Sequence, residues 1–178
     1  VPGIGPVRAE RIAAAWRRHE KSRQAMLFLH DHGIGGATAA KIVAHFGDRT
    51  VEVVERDPYV LARHIRGIGF VTADRIAQAV GIDPRDPARL QAAMLHTLHT
   101  AAGEGHLFLP RDALVAEAAR LTRVPEELFD EPLRQLAEAE EVVLEPREGP
   151  DAVFLPELLE AEREVALRIL DMAAGGFT

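Results

Sequence analysis

The tripeptide Gly-Ile-Gly occurs three times, at Gly3-Ile4-Gly5, Gly33-Ile34-Gly35 and Gly67-Ile68-Gly69. Each copy is followed by the same pattern. Six residues past the first glycine stands Ala9, Ala39 or Ala73. Two further on is a cation, Arg11, Lys41 or Arg75, and next to it an isoleucine, Ile12, Ile42 or Ile76. Another apolar residue follows (Ala13, Val43 or Ala77), then a larger one four past the isoleucine (Trp16, Phe46 or Val80). Apolar residues at offsets 0, 3, 4 and 7 mark one face of an α-helix. Arg8, Thr38 or Thr72, three residues before the cation, shares its flank.

The chemistry such a unit can perform is anion binding. A helix N-terminus presents unpaired backbone N–H groups and a partial positive charge. Glycines let a phosphate oxygen approach those amides. The isoleucine between them anchors the turn, while a hydroxyl or cation on the flank adds charge-assisted contacts. Contacts of this kind reach the nucleic-acid backbone and carry no base information, so binding is expected to be sequence-independent and salt-sensitive. A glycine between two helices is equally a plain chain reversal. Three copies with a cation at the same offset favour phosphate contact. The candidate backbone-binding residues are Gly3, Ile4, Gly5, Arg8 and Arg11; Gly33, Ile34, Gly35, Thr38 and Lys41; and Gly67, Ile68, Gly69, Thr72 and Arg75. Phe70, just past the third turn, either crowds a phosphate or packs inward.

Helices must lead into these turns. Ser22 is placed to cap one that carries Ala25, Met26, Leu27, Phe28 and Leu29 and ends near Gly33. Asp57-Pro58 starts another, with Tyr59, Leu61, Ala62 and Ile65, stopping at Gly67. A short helix over about Asp48 to Arg56 bridges the second and third repeats. The first repeat lacks a leading helix because the chain starts at Val1, and the glycine-rich end from Ala173 to Thr178 reads as a linker. A piece of a longer protein is expected.

Charge divides the chain. Residues 1–78 hold 12 Lys and Arg against 8 Asp and Glu, a net of +4; residues 79–178 hold 9 against 20, a net of −11. Only the first part suits a polyanion. The acidic part orders its patterns as helix (from Asp86-Pro87 to about Gly103), strand (His106 to Pro110), helix (Arg111 to Leu121), helix (to about Ala139) and two strands (Glu141–Glu145 and Ala152–Leu155), with Pro146 to Asp151 as the turn. That is a winged-helix order. Its third helix carries Asp130, Glu131 and Glu138, with Glu140 and Glu141 following, against Arg134 alone, so a spacer or docking role is expected over DNA contact. A long amphipathic helix follows from Pro156, with Leu158, Leu159, Val165, Leu167, Ile169 and Leu170, to pack against whatever comes next.

The chain contains no Cys. That excludes disulfides and Cys-based zinc sites and fits a reducing cytoplasmic setting. A 47% hydrophobic and 28% charged composition carries no disorder signature. No apolar run approaches the ~20 residues of a membrane span. His96 and His99, with His106 nearby, are read as solvated or core-edge histidines rather than zinc ligands. The acidic run from Glu138 to Glu141 is read as a solvated helix end. No phosphate-loop motif, paired catalytic carboxylates or nucleophile triad is present, so no catalytic residue and no metal site is expected within these residues.

The stretches Asp57-Pro58-Tyr59-Val60-Leu61, Ile65-Arg66-Gly67-Ile68-Gly69-Phe70 and Ala73-Asp74-Arg75-Ile76-Ala77 resemble the region ahead of the motor in long RecD-like helicases. Arg89, Gly105-His106 and Leu109-Pro110 match the same pattern, as do the earlier Gly-Ile-Gly repeats. Asp57 departs from it, since the family more often has Asn there; both cap helices. The resemblance implies the accessory region of a superfamily 1 helicase that moves 5′ to 3′ on DNA, acts in recombination and repair, and uses ATP and Mg in motor domains outside these residues. The implied partners are DNA, as duplex or single/double-strand junction, and the protein's own motor domains, with no membrane. The expected fold is mainly α: tandem helix-hairpin-helix repeats over 1–82, a winged-helix-like α+β unit with a small β-hairpin over 83–156, and a helix and linker over 157–178. Two other readings stay open: a helix-hairpin-helix module of a ligase, nuclease or Holliday-junction protein, or a protein-interaction module whose glycine turns are structural.

Overall fold

The computed structural model describes residues 5–174. The chain divides into two units, Val1–Asp83 and Pro84–Thr178.

The first unit begins with α1 (Pro6–Asp31), a single helix of 26 residues. The helix start expected at Ser22 is absent, and Ser22 lies inside α1. No Gly or Pro interrupts residues 7–31, and good helix formers fill the junction. There Glu20 accepts hydrogen bonds from Arg23 at 2.8 Å and Gln24 at 3.4 Å, both at helical spacing. α1 ends where Gly33 takes φ +73°. The Gly33 amide donates to His30 O and the Ile34 amide to Leu29 O, both at 2.9 Å, which closes the helix end and returns Ile34 to the core.

α2 (Gly36–Phe46) follows at once. A 3-10 turn at Gly47–Arg49 leads into α3 (Thr50–Arg56), the bridging helix. The buried Thr50 hydroxyl donates to Gly47 O at 2.8 Å. Asp57 accepts from the Tyr59 amide at 3.0 Å and so initiates α4 (Val60–His64) one turn later. α4 turns at Gly67, φ +89°, into α5 (Phe70–Ala79). Leu29, Ile34, Ala39, Ile42, Val54, Leu61, Ile65, Ile68 and Ile76 form one buried cluster. Each fully buried aliphatic side chain of this kind stabilises the fold by about 1.5–3 kcal/mol. Phe70 packs inward, 3% exposed, stacked on Tyr59 at 6.0 Å between centroids. The Tyr59 hydroxyl donates to Asp74 Oδ1 at 2.8 Å.

The second unit starts with α6 (Pro87–Gly103), capped by Asp86 through the Ala88 amide at 2.8 Å. Then come β1 (Phe108–Pro110), α7 (Arg111–Thr122), a 3-10 turn at Glu126–Leu128, α8 (Asp130–Glu138), β2 (Val143–Arg147), β3 (Gly149–Phe154) and α9 (Pro156–Ala174). The strands form an antiparallel sheet in the order β1-β3-β2. The hairpin is tighter than expected. The sequence predicts a turn over residues 146–151, yet Arg147 pairs with Gly149. Pro146, which has no N–H to give the ladder, sits in an irregularity between Glu145 and Arg147. Buried Arg89 donates to Pro84 O at 2.9 Å and Thr122 O at 3.1 Å, tying the start of α6 to the end of α7. Phe154, Ala152 and Leu159 form a small core under the sheet. Beyond its first turn α9 leaves Val165, Leu167, Ile169, Leu170 and Met172 exposed. Among the described residues no helix is long and apolar enough to cross a membrane.

Candidate nucleic-acid interface

Gly5, Gly35 and Gly69 each stand immediately before a helix, at the N-termini of α1, α2 and α5. All three are extended, with φ, ψ of −67°, 159°; −62°, 145°; and −94°, 178°. In α2 the amides of Gly36, Ala37 and Thr38 have no intrahelical acceptor and stand behind an exposed glycine, whereas the Arg8 and Thr72 amides already donate to Gly5 O at 3.0 Å and Gly69 O at 3.1 Å. A Cβ at Gly5, Gly35 or Gly69 would meet nothing within 4 Å. These glycines therefore leave clear space in front of a partially positive helix end.

The isoleucines do the anchoring. Ile34 is 2% exposed and Ile68 is 4%, and both belong to the same cluster, so the second and third turns share one core. Arg8, Arg11, Lys41 and Arg75 are exposed, and Thr38 and Thr72 are half-buried. These four cations form no ion pair among the described residues, whereas Lys21, Arg23 and Arg63 pair with Asp48, Glu20 and Asp57. Gly3 and Ile4 lie outside the described residues.

One placement goes beyond the repeat register. Lys41 is expected on the flank of the second turn, and its Nζ lies 3.6 Å from where a Cβ on Gly67 would stand, at the third turn. The reason is tertiary: α2 and the turn after α4 pack on one core, so a side chain on α2 reaches across. Arg66, exposed beside Gly67, is a further cation at this turn. The repeat comparison passes over it because Pro2 and His32 occupy the equivalent positions.

The acidic unit presents the opposite field. On α8, Arg134 is held by Glu131 at 2.6 Å and by Glu138. The hydrogen bond from Arg134 holds the exposed Glu131 carboxyl below its usual range. Glu140 and Glu141 lie past the end of α8, with Glu140 in a left-handed conformation at φ +58°. His96 lines a cleft between α6 and α7 with Thr100, Glu104, His106, Glu117 and Arg120. Burial, and then the neighbouring His99, lowers the His96 pKa. Among the described residues no group of three or more His, Asp or Glu is placed to hold a metal ion.

Residues 18–108 match the family described as the ATP-dependent RecD2 DNA helicase HHH domain. The chain belongs to this RecD2 helicase family. The matched stretch runs from within α1 through the second and third turns to the start of β1, and does not reach Gly5. The chain is also 30% identical, over 184 aligned positions, to the ATP-dependent RecD2 DNA helicase of Deinococcus radiodurans. That alignment covers 98% of this chain and 26% of the relative, so the chain spans about a quarter of the relative's length. It is the accessory, helix-hairpin-helix region of a RecD2-type helicase.

Proposed function

We propose that this region grips the DNA backbone, without regard to sequence, for an ATP-dependent 5′-to-3′ helicase of recombination and repair in the cytoplasm. The observation that carries the proposal is the pairing of two glycine-fronted helix ends, at Gly35 and Gly69, on one core with the Lys41 ammonium at the third turn. Read as tandem helix-hairpin-helix repeats, they hold phosphates of a duplex or a single/double-strand junction through backbone amides. Lys41, Arg75 and Arg66 supply the charge, and Thr38 and Thr72 are the flanking hydroxyls. Arg8 and Arg11, behind Gly5, add charge at the first turn.

The second unit reads as winged-helix-like in its element order. In the usual arrangement the third helix of such a unit approaches DNA, and here that helix is α8, whose one Arg is already held by two carboxylates. Its field repels phosphate, so this unit serves as a spacer. The exposed apolar residues of α9 are its docking side for the protein's motor domains. ATP and Mg belong to those domains, and no residue of this chain takes part in their chemistry.

The test is duplex binding as a function of salt. Two or three neutralised phosphates give a log–log slope of about −2 to −3. Absence of binding at low salt would leave the glycine turns a purely structural role.

A further inference from the structure

The three repeats are alike in sequence and unlike in burial. Ile42 and Ile76 are 0% and 1% exposed, whereas Ile12, at the same offset, is 52% exposed. Phe46 and Val80 pack against the core of the first unit, whereas their counterpart Trp16 is 72% exposed. In the two covered cases the helix before the turn supplies the cover: α1 packs on α2, and α4 on α5. The covering residues are aliphatic: Leu29 in α1, and Leu61 in α4 with Ile65 just past its end, lie in one buried cluster with Ile42 and Ile76.

We infer that the Ile12–Trp16 face of α1 is the seat of an amphipathic helix of the same protein, lying N-terminal to the Gly3-Ile4-Gly5 tripeptide and completing a third hairpin. The occupant presents aliphatic side chains, as Leu29 does from α1 and Leu61 does from α4. The chain spans 26% of its Deinococcus relative, so a protein of that length has polypeptide outside this region to supply the helix. A second copy fits less well. A stable dimer buries more than roughly 1,000 Å², and Ile12 with Trp16 offers a face of little more than one helical turn. The inference does not depend on DNA contact.

Hydrogen exchange over residues 6–20 tests it, comparing this 178-residue chain with the full-length natural protein, both free of DNA. Exchange is expected to slow at least about tenfold in the longer protein. Ile12→Asp is expected to abolish that protection there while leaving residues 36–46 protected in both. Equal exchange in the two proteins overturns the inference. So does protection of the short chain that rises with its own concentration, which would make a second copy the occupant. Protection that appears only when single-stranded DNA is added overturns it too, since Trp16 would then be a base-stacking platform.

Discussion

The Lys41 ammonium stands 3.6 Å from the point where Gly67 would carry a Cβ. A cation borne by the helix after one turn is thus delivered to the next turn. Lys41→Gln is expected to leave the fold intact, weaken duplex binding by about 1.5 kcal/mol, roughly tenfold, and reduce the salt slope by about 0.9. Because the Lys41 ammonium lies at the third turn, its effect and that of Gly69→Ala are expected to be non-additive, while Lys41→Gln and Gly35→Ala add. Fluorescence anisotropy on the three single variants and the two double variants checks this. Simple additivity with Gly69→Ala would return Lys41 to its own turn.

Gly35 and Gly67 separate binding from folding. Gly35 has φ −62° and open space around it, so Gly35→Ala is expected to change stability by no more than about 1 kcal/mol while blocking phosphate approach and weakening binding. Gly67 has φ +89°, and Gly67→Ala is expected to cost about 1–2 kcal/mol of stability. Urea melts beside binding curves distinguish the two. Full affinity in Gly35→Ala would count against the amides of α2 as a contact.

The Tyr59 hydroxyl donates to the buried carboxyl of Asp74. Tyr59→Phe keeps the stack on Phe70 and removes this bond. A loss of about 2 kcal/mol from the first unit is expected in urea unfolding. A loss below about 0.5 kcal/mol would show that the other partners of Asp74 suffice.

Arg89 is 5% exposed and bonds two carbonyls on either side of it. Arg89→Ala leaves those carbonyls without this donor and is expected to destabilise the second unit by about 3 kcal/mol. DNA affinity of the first unit should not change. Thermal unfolding followed with binding at a temperature below both transitions tests both statements.

Burial, with His99 beside it, lowers the His96 pKa. The folded second unit therefore takes up this proton less readily than the unfolded chain does. Its stability is expected to be flat above the ordinary imidazole pKa, and to fall as pH drops through that value toward the lowered one. His96→Gln should flatten this part of the profile, as read from urea midpoints between pH 7.5 and 5. An unchanged profile would assign the acid sensitivity elsewhere.

Much of the first unit could be read from residues alone, because its signals are local. Glycine at a helix end, isoleucine between two glycines and the four-residue return to Ile42 or Ile76 each depend on near neighbours. Asp57 and Asp86 likewise announced helix starts. Ser22 is a cap-forming residue with no Gly or Pro nearby to break the helix, so α1 runs on through it. Pro146 misled in the other direction, since proline marks a strand irregularity as readily as a turn. The seat of Lys41 was not legible at all. It depends on how α2 lies over the turn after α4, and no spacing along the chain encodes that.

The unbroken α1 has a mechanical meaning. At 1.5 Å per residue its 26 residues make a rod of about 39 Å. Gly5 stands at one end and Gly33 just past the other, with no hinge between them. Under the proposed function the two turns are grips on one rod, with a constant spacing and a constant phase about its axis, so a load taken at one is felt at the other without delay or slack. One residue inserted near Ser22 would turn the first grip by about 100° relative to the second, and a seven-residue insertion would nearly restore it while lengthening the rod by about 10 Å.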